Sequence, residues 1–197
     1  NSSDQQVELG LLDAALKADP TNSVAVEQLA IAAYKGQQLA PESMELLEKS
    51  LVDGNASGVT HLIMANRKLI ADELEAAIGH LRLALNQMPG NPIVLNNLAF
   101  ALFKLHPEKV DEAAELIDQA LKAPSTSPQQ TANMLDTQGQ VRLGQNDKLG
   151  AIGSFEQAIK LDTNKLDTRR RLAEVYRQMG MADLADAQLK RIEELEK

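Results

Sequence analysis

The chain has 197 residues, 44% hydrophobic but only 3% aromatic, and it contains neither cysteine nor tryptophan. Disulfides and thiolate metal sites are therefore excluded, and any core must be built from Leu, Ile, Val and Ala, which suits helix faces better than packed sheets. With 20 basic and 28 acidic side chains the net charge is −8, which repels phosphate and disfavours nucleic acid or anionic membrane as a general partner.

The opening segment places Ser3 and Gln6 at capping-box spacing ahead of Val7, Leu9, Leu11, Leu12, Ala15 and Leu16, and stops at Asp19-Pro20-Thr21-Asn22. It reads as the second helix of a pair whose first helix is absent, so the chain is expected to be a piece of a longer protein with an apolar edge left open here. Residues 23–57 form the first whole pair. Val26, Leu29, Ala30 and Ala33 lie on its first helix, Gly36 breaks it, and Pro41 opens a second helix that Gly54-Asn55 closes. Residues 58–90 form the next pair, ending at Pro89-Gly90, and its first helix fits two registers that differ in where Ile63, Asn66 and Arg67 point.

In residues 91–127, Asn91 is the cap and Pro92 the first helical residue, followed by Leu95, Leu98, Ala99 and Leu102. A turn lengthened around His106-Pro107 leads to a helix from Asp111 to Ala123. After Pro124-Ser125-Thr126-Ser127-Pro128, Ser127 and Gln130 again have capping-box spacing, which makes this a joint within an array. Residues 128–164 and 165–197 complete the chain. Its last helix, Ala182 to Lys197, carries the charged outer face of a cap.

The last third of the sequence can be laid on itself with a shift of 34 residues: Gly139 faces Ala173, Val141 faces Val175, Asn146 faces Gly180, Ala151 faces Ala185 and Phe155 faces Leu189. A small residue followed four positions later by an apolar one recurs along the chain, as Glu8/Leu12, Ser43/Leu47, Ala77/Leu81, Ala113/Ile117, Ala151/Phe155 and Ala185/Leu189. Their first members lie 35, 34, 36, 38 and 34 residues apart, and only Glu8 fits poorly. A period of this length marks stacked helix pairs that each pack on their neighbours.

At these residues the sequence resembles the tetratricopeptide repeat, whose pattern is W-x2-L-G-x2-Y, then A-x3-F, then P. Leu135-x2-Gln138-Gly139-x2-Arg142 with Ala151-x3-Phe155 is one match. Leu95-x2-Leu98-Ala99-x2-Leu102 with Ala113-x3-Ile117, and Arg169-x2-Leu172-Ala173-x2-Tyr176 with Ala185-x3-Leu189, are two more. The resemblance spans essentially the whole chain and departs from the pattern at every Trp position and most Tyr positions. It implies an all-α fold, a right-handed α-solenoid superhelix of about five and a half repeats in one array: a half repeat over 1–22, then repeats over 23–57, 58–90, 91–127, 128–164 and 165–197.

The resemblance also implies a mechanism, in which the first helices line a concave groove that takes a peptide or a partner's helix. Groove positions on this basis are Glu27, Ile31 and Tyr34, then Asn96, Phe100 and Phe103, then Asp136 and Gln140, then Arg170, Glu174 and Arg177. Asn96 offers paired amide hydrogen bonds to a bound backbone and Phe100 and Phe103 an apolar seat; the competing reading buries both rings between repeats. The family's carboxylate-clamp set of Lys and Asn is absent. Asn96-Asn97-Leu98-Ala99 and Leu135-Asp136-Thr137-Gln138-Gly139 are also similar to bacterial arrays of envelope and exopolysaccharide export systems, which implies a bacterial cytoplasm or the periplasm and envelope, the latter preferred if the segment comes from a longer exported protein.

No catalytic constellation is read from the sequence, so no enzyme activity and no cofactor are expected. His61, His80 and His106 are read as isolated from one another, which argues against a metal site. Asp162-Thr163-Asn164 lacks the glycine and glutamate of a calcium loop. The run Arg169-Arg170-Arg171 pairs either with an acidic partner or, preferentially, with Asp162, Asp167 and Glu174 on its own surface. No apolar run reaches the roughly 18 residues of a membrane span and no leader pattern is present, so neither membrane insertion nor a signal peptide is expected.

The function expected is a non-enzymatic scaffold binding a protein or peptide. The alternative is a regulatory or targeting module of a larger enzyme or envelope export machine, and the open edge of the first helix adds a homodimer to the expected partners.

Overall fold

A computed structural model describes residues 2–19, 21–34, 37, 39–52, 56–124 and 127–196, with side chains from residue 7 onward except those of Tyr34, Glu48 and Val52. Pro20, Gly36, Gly54, Asn55, Ser125, Thr126, Lys197 and the side chains of Ser3, Gln6 and Tyr34, all used in reading the sequence, lie outside the described residues. The described residues are predominantly helical, with no strand among them. It divides into two compact units, Asn1–Pro89 and Gly90–Lys197.

The first unit contains α1 (Ser2–Ala18), α2 (Ser23–Tyr34), α3 (Pro41–Val52), α4 (Gly58–Ile70) and α5 (Leu74–Gln87). α1 packs on α2 and α3, α2 on α4, and α4 pairs with α5. Leu16, Val26, Leu29, Ala30, Leu47 and Met64 fill the space between them. The α4 ambiguity resolves with His61, Met64 and Ala65 buried and Ile63, Asn66 and Arg67 half-buried.

The second unit contains α6 (Pro92–Leu105), α7 (Val110–Lys122), α8 (Pro128–Gly144), α9 (Lys148–Leu161), α10 (Leu166–Gln178) and α11 (Ala182–Leu195). α6 pairs with α7, α8 with α9 and α10 with α11, while α7 lies on α8 and α9 on α10. The lengthened turn near His106 is a 3-10 turn over Pro107–Lys109, so α7 starts one residue before Asp111. Phe155, Leu172, Ala173, Val175, Tyr176 and Ala185 share one apolar cluster.

Local chemistry fixes the helix ends. Asn91 Oδ1 accepts from the amides of Ile93 and Val94, and Pro92 then occupies the first turn, where no donor is needed. Ser57 Oγ accepts from Thr60 N, Ser127 Oγ from Gln130 N and Asp147 Oδ1 from Gly150 N in the same way. Three of the turns inside helix pairs share one closure. Asp72, Asn146 and Gly180 adopt positive φ, and the next amide reaches back five residues: Glu73 to Lys68 O, Asp147 to Arg142 O and Met181 to Tyr176 O. This is the Schellman ending, which a left-handed residue makes possible.

The small residues of the sequence pattern sit where helices cross. Ala77, Ala113, Ala151 and Ala185 have no solvent exposure, and Ser43 almost none. Gly139 marks the tightest crossing: a Cβ there would lie 2.3 Å from Phe155 Cε1, so α8 approaches α9 closely only because the side chain is missing.

Candidate functional site

The groove positions in the second unit fall on α6, α8 and α10, the first helices of its three pairs. On α6, Asn96, Phe100 and Phe103 are half-buried and spaced four and then three residues, so they share a stripe. Asn96 Nδ2 donates to Asn97 Oδ1 at 3.0 Å, while Asn96 Oδ1 is buried and accepts no hydrogen bond among the described residues. A buried amide oxygen in that state forfeits the hydrogen bond it would make in water. Lys104 Nζ stands 5.4 Å from the centre of the Phe100 ring, a cation–π contact.

The two aromatics differ. The Phe103 ring lies against the end of α8, where a Cβ on Gly144 would come within 2.5 Å of Cε2, so this ring fills space between α6 and α8. The Phe100 ring is the one flanked by Lys104.

On α8, Asp136 and Gln140 are already tied into the protein. Asp136 accepts from Gln140 Nε2 at 2.9 Å, from Thr168 Oγ1 at 2.7 Å and from Arg171 Nη1 at 3.2 Å to each oxygen. The carboxylate thus clamps α8 to α10, and its charge is matched within the fold.

The three arginines of α10 have three different environments. Arg169 is buried; its Nη1 donates to Gln188 Oε1 at 2.8 Å, and its Nε and Nη2 to the Thr163 carbonyl. Burial, with Arg191 nearby, holds its guanidinium below the usual arginine range. Arg170 is half-exposed between Asp167 (2.8 Å) and Glu196 (2.5 Å). Arg171 belongs to Asp136. Arg170 and Arg171 are therefore paired within the chain, but by Asp136 and Glu196 beside Asp167; Asp162 instead accepts from Gln129 and Asn164, and Glu174 from Gln178. Lys165, Arg170, Arg171, Asp136, Asp167 and Thr168 border an open hollow of about 470 Å³ at the start of α10. Arg177, on the exposed side of α10, approaches Asp186 at 3.8 Å.

In the first unit, Glu27 accepts from Ser57 Oγ at 3.1 Å, which couples α2 to the cap of α4. Ile31 borders a small hollow with Glu8, Leu12 and Gln37.

One sequence reading is corrected outright. His61 and His80 are not isolated: they belong to one helix pair, with Nδ1 atoms 3.2 Å apart across α4 and α5. Among the described residues no group of three or more His, Cys, Asp or Glu is placed to hold a metal ion. A polar chain across α7, α8 and α9 was also not read from the sequence. Gln138 Nε2 donates to Asp118, Ser154 Oγ to Gln138 Oε1 at 2.8 Å, and Arg142 Nη1 to Ser154 Oγ at 3.0 Å. On α10, the hydroxyl of the buried Tyr176 donates to Glu156 Oε1 at 2.5 Å, and burial together with that carboxylate raises its pKa. No helix among the described residues is long and apolar enough to cross a membrane.

No family model matches this sequence, and no curated protein matches it. Solved structures do. PilF of Pseudomonas aeruginosa aligns with a TM-score of 0.69 at 20% identity, covering 88% of this chain and 76% of that one. The MamA RS-1 ArsTM double mutant aligns at 0.68 with 13% identity, covering 90% and 95%, and MamA AMB-1 at 0.64 with 21% identity, covering 88% and 98%. PilF and MamA are tetratricopeptide-repeat proteins. At such identities the likeness establishes the fold alone: the chain is an all-helical solenoid of tetratricopeptide type.

Proposed function

We propose that this chain is a non-enzymatic scaffold that holds a peptide or partner segment on the face formed by α6, α8 and α10. The observation that carries the reading is Asn96, whose Oδ1 lacks a donor among the described residues, one turn away from the half-buried Phe100. Turned outward, the half-buried Asn96 side chain presents Oδ1 to a partner's backbone N–H, and an apolar partner side chain seated on Phe100 adds burial. Asp136, Gln140 and Arg171 hold the floor of this face rigid, since their charges and donors are satisfied internally. Arg170, Glu174 and Arg177 form a polar rim on α10 that sets partner preference more than affinity.

A photo-crosslinking residue replacing Phe100, compared with one replacing Glu115 on α7, tests the reading in cells that make the protein. Crosslinks are expected from position 100 alone, and Asn96→Ala with Phe100→Ala should weaken binding of the captured partner by about 5- to 30-fold each. Equal crosslinking from position 115, or binding unmoved by both substitutions, would refute it.

A second reading, self-association through α1, is supported by Val7 and Leu11, which stand 64% and 68% exposed one turn apart. Light scattering should then give a dimer mass that Val7→Ser with Leu11→Ser reduces to that of one chain. A single-chain mass for the unaltered protein at all concentrations excludes it.

A further inference from the structure

His61 on α4 is 1% exposed, and its ring centre lies 5.5 Å from that of His80 on α5. With the two Nδ1 atoms 3.2 Å apart, one ring must carry its proton on Nδ1 and donate, and the other must accept through a bare Nδ1. Two neutral imidazoles of opposite tautomer satisfy this geometry; a single added proton keeps the bond but places a charge in a buried site. Two imidazolium rings cannot, because both Nδ1 atoms would then carry protons pointed at each other.

Lys68 on α4 raises the cost of a charge on His80, while its own partner is Glu73 at 2.6 Å. The other charged groups on the elements packed around the pair are Glu27 on α2, which accepts from Ser57, Arg67 on α4, and Glu75 and Arg82 on α5.

We propose that the His61–His80 pair is an acid-sensitive latch on the α4–α5 hairpin, closed while both rings are neutral and opened when the pair takes up protons. Burial first, and then His80 for His61 and Lys68 for His80, hold both rings below the ordinary histidine pKa of 6.5. The sign follows: the unfolded hairpin binds more protons than the folded one below pH 6.5. The latch therefore contributes fully above that pH and is lost as pH falls toward the depressed folded values. The same features disfavour a bound metal cation, since Lys68 repels it and no third ligand is present among the described residues.

Hydrogen exchange of the whole chain at pH 7.5 and 5.5, corrected for intrinsic rates, reads the latch directly. Each ring that stays neutral to pH 5.5 favours opening by about tenfold over that interval in the limit. A loss of protection of about threefold or more across residues 58–87 is expected, with a shallower loss in His80→Gln and the full loss in His106→Gln. Protection independent of pH in this range, or an unchanged slope in folded His80→Gln, overturns the proposal. Where His80→Gln does not fold, ring titration by NMR in the unaltered chain decides: His61 or His80 titrating at or above pH 6.5 overturns it, and both below supports it. Protection gained on adding zinc at pH 7.5 also overturns it, by making the pair a metal site.

Discussion

Replacing Gly139 by Ala tests the tightest contact in the fold. The added methyl would lie 2.3, 2.5 and 2.8 Å from Cε1, Cδ1 and Cζ of Phe155, at least roughly 0.7 Å inside normal carbon contact. Phe155 has no exposure, so its ring cannot swing into solvent to make room. Contacts this short put the overpacking cost at about 2–3 kcal/mol, against which alanine's better helix propensity returns up to about 1 kcal/mol, leaving a net loss of about 1–2 kcal/mol. Gly79 is the internal control. It is an exposed helical glycine with nothing within 4 Å of an added Cβ, so Gly79→Ala should stabilise by roughly 0.5–1 kcal/mol. For a chain of this size the two variants should melt roughly 4–8 °C apart in opposite directions from the parent, as followed by circular dichroism. Phe155→Leu placed on the Gly139→Ala background should recover part of the loss. A Gly139→Ala protein melting at or above Gly79→Ala would refute the packing argument.

Other perturbations separate structural from surface roles. Arg169→Met should cost about 1–2 kcal/mol in urea unfolding because it strips the Thr163 carbonyl and Gln188 of their donor. Arg170→Ala, whose ion pairs are half in solvent, should cost less than about 0.5 kcal/mol and still less at high salt. Ser154→Ala should cost about 1–3 kcal/mol, since it deprives the buried Gln138 of a donor and Arg142 of an acceptor. In the shared turns, Gly180→Ala should lose about 1 kcal/mol and Asp72→Gly should gain some tenths, because both positions require positive φ. Thermal melts showing equal effects at the two turns would count against a common closure.

The helical layout was legible because its signals are local or strictly periodic. Asn91 and Ser127 announce helix starts by chemistry contained within four residues, and both side chains cap; Gln130 Oε1 accepts no hydrogen bond among the described residues, so the reciprocal half of the capping box at Ser127 is not made. Ala77, Ala113, Ala151 and Ala185 announce crossings because only a small side chain fits there. Phe103 and Phe100 could not be told apart from spacing: both lie on one stripe, and only the position of the Gly144 backbone assigns one of them to packing. The polar partners are legible in principle from complementary residues one repeat apart. Asp13 with Ser43, Glu27 with Ser57, Asn133 with Lys165, and Asp136 with Thr168 and Arg171 are complementary pairs 30 to 35 residues apart, which is what neighbouring first or second helices bring together. His61 and His80, 19 apart, face each other because a helix pair folds back on itself, and a search limited to short metal-ligand spacings passes over them.

The polar chain from Asp118 through Gln138 and Ser154 to Arg142 has a consequence for assembly. Helix pairs with near-equivalent greasy faces can dock on the wrong neighbour, a hazard common to tandem arrays. Oil cannot tell one copy from the next, but this set of donors and acceptors has a single correct match, spread over α7, α8 and α9. A mis-threaded stack strands Ser154 and Gln138 in a dry interior, so the chain carries its own proofreading at the centre of its second unit.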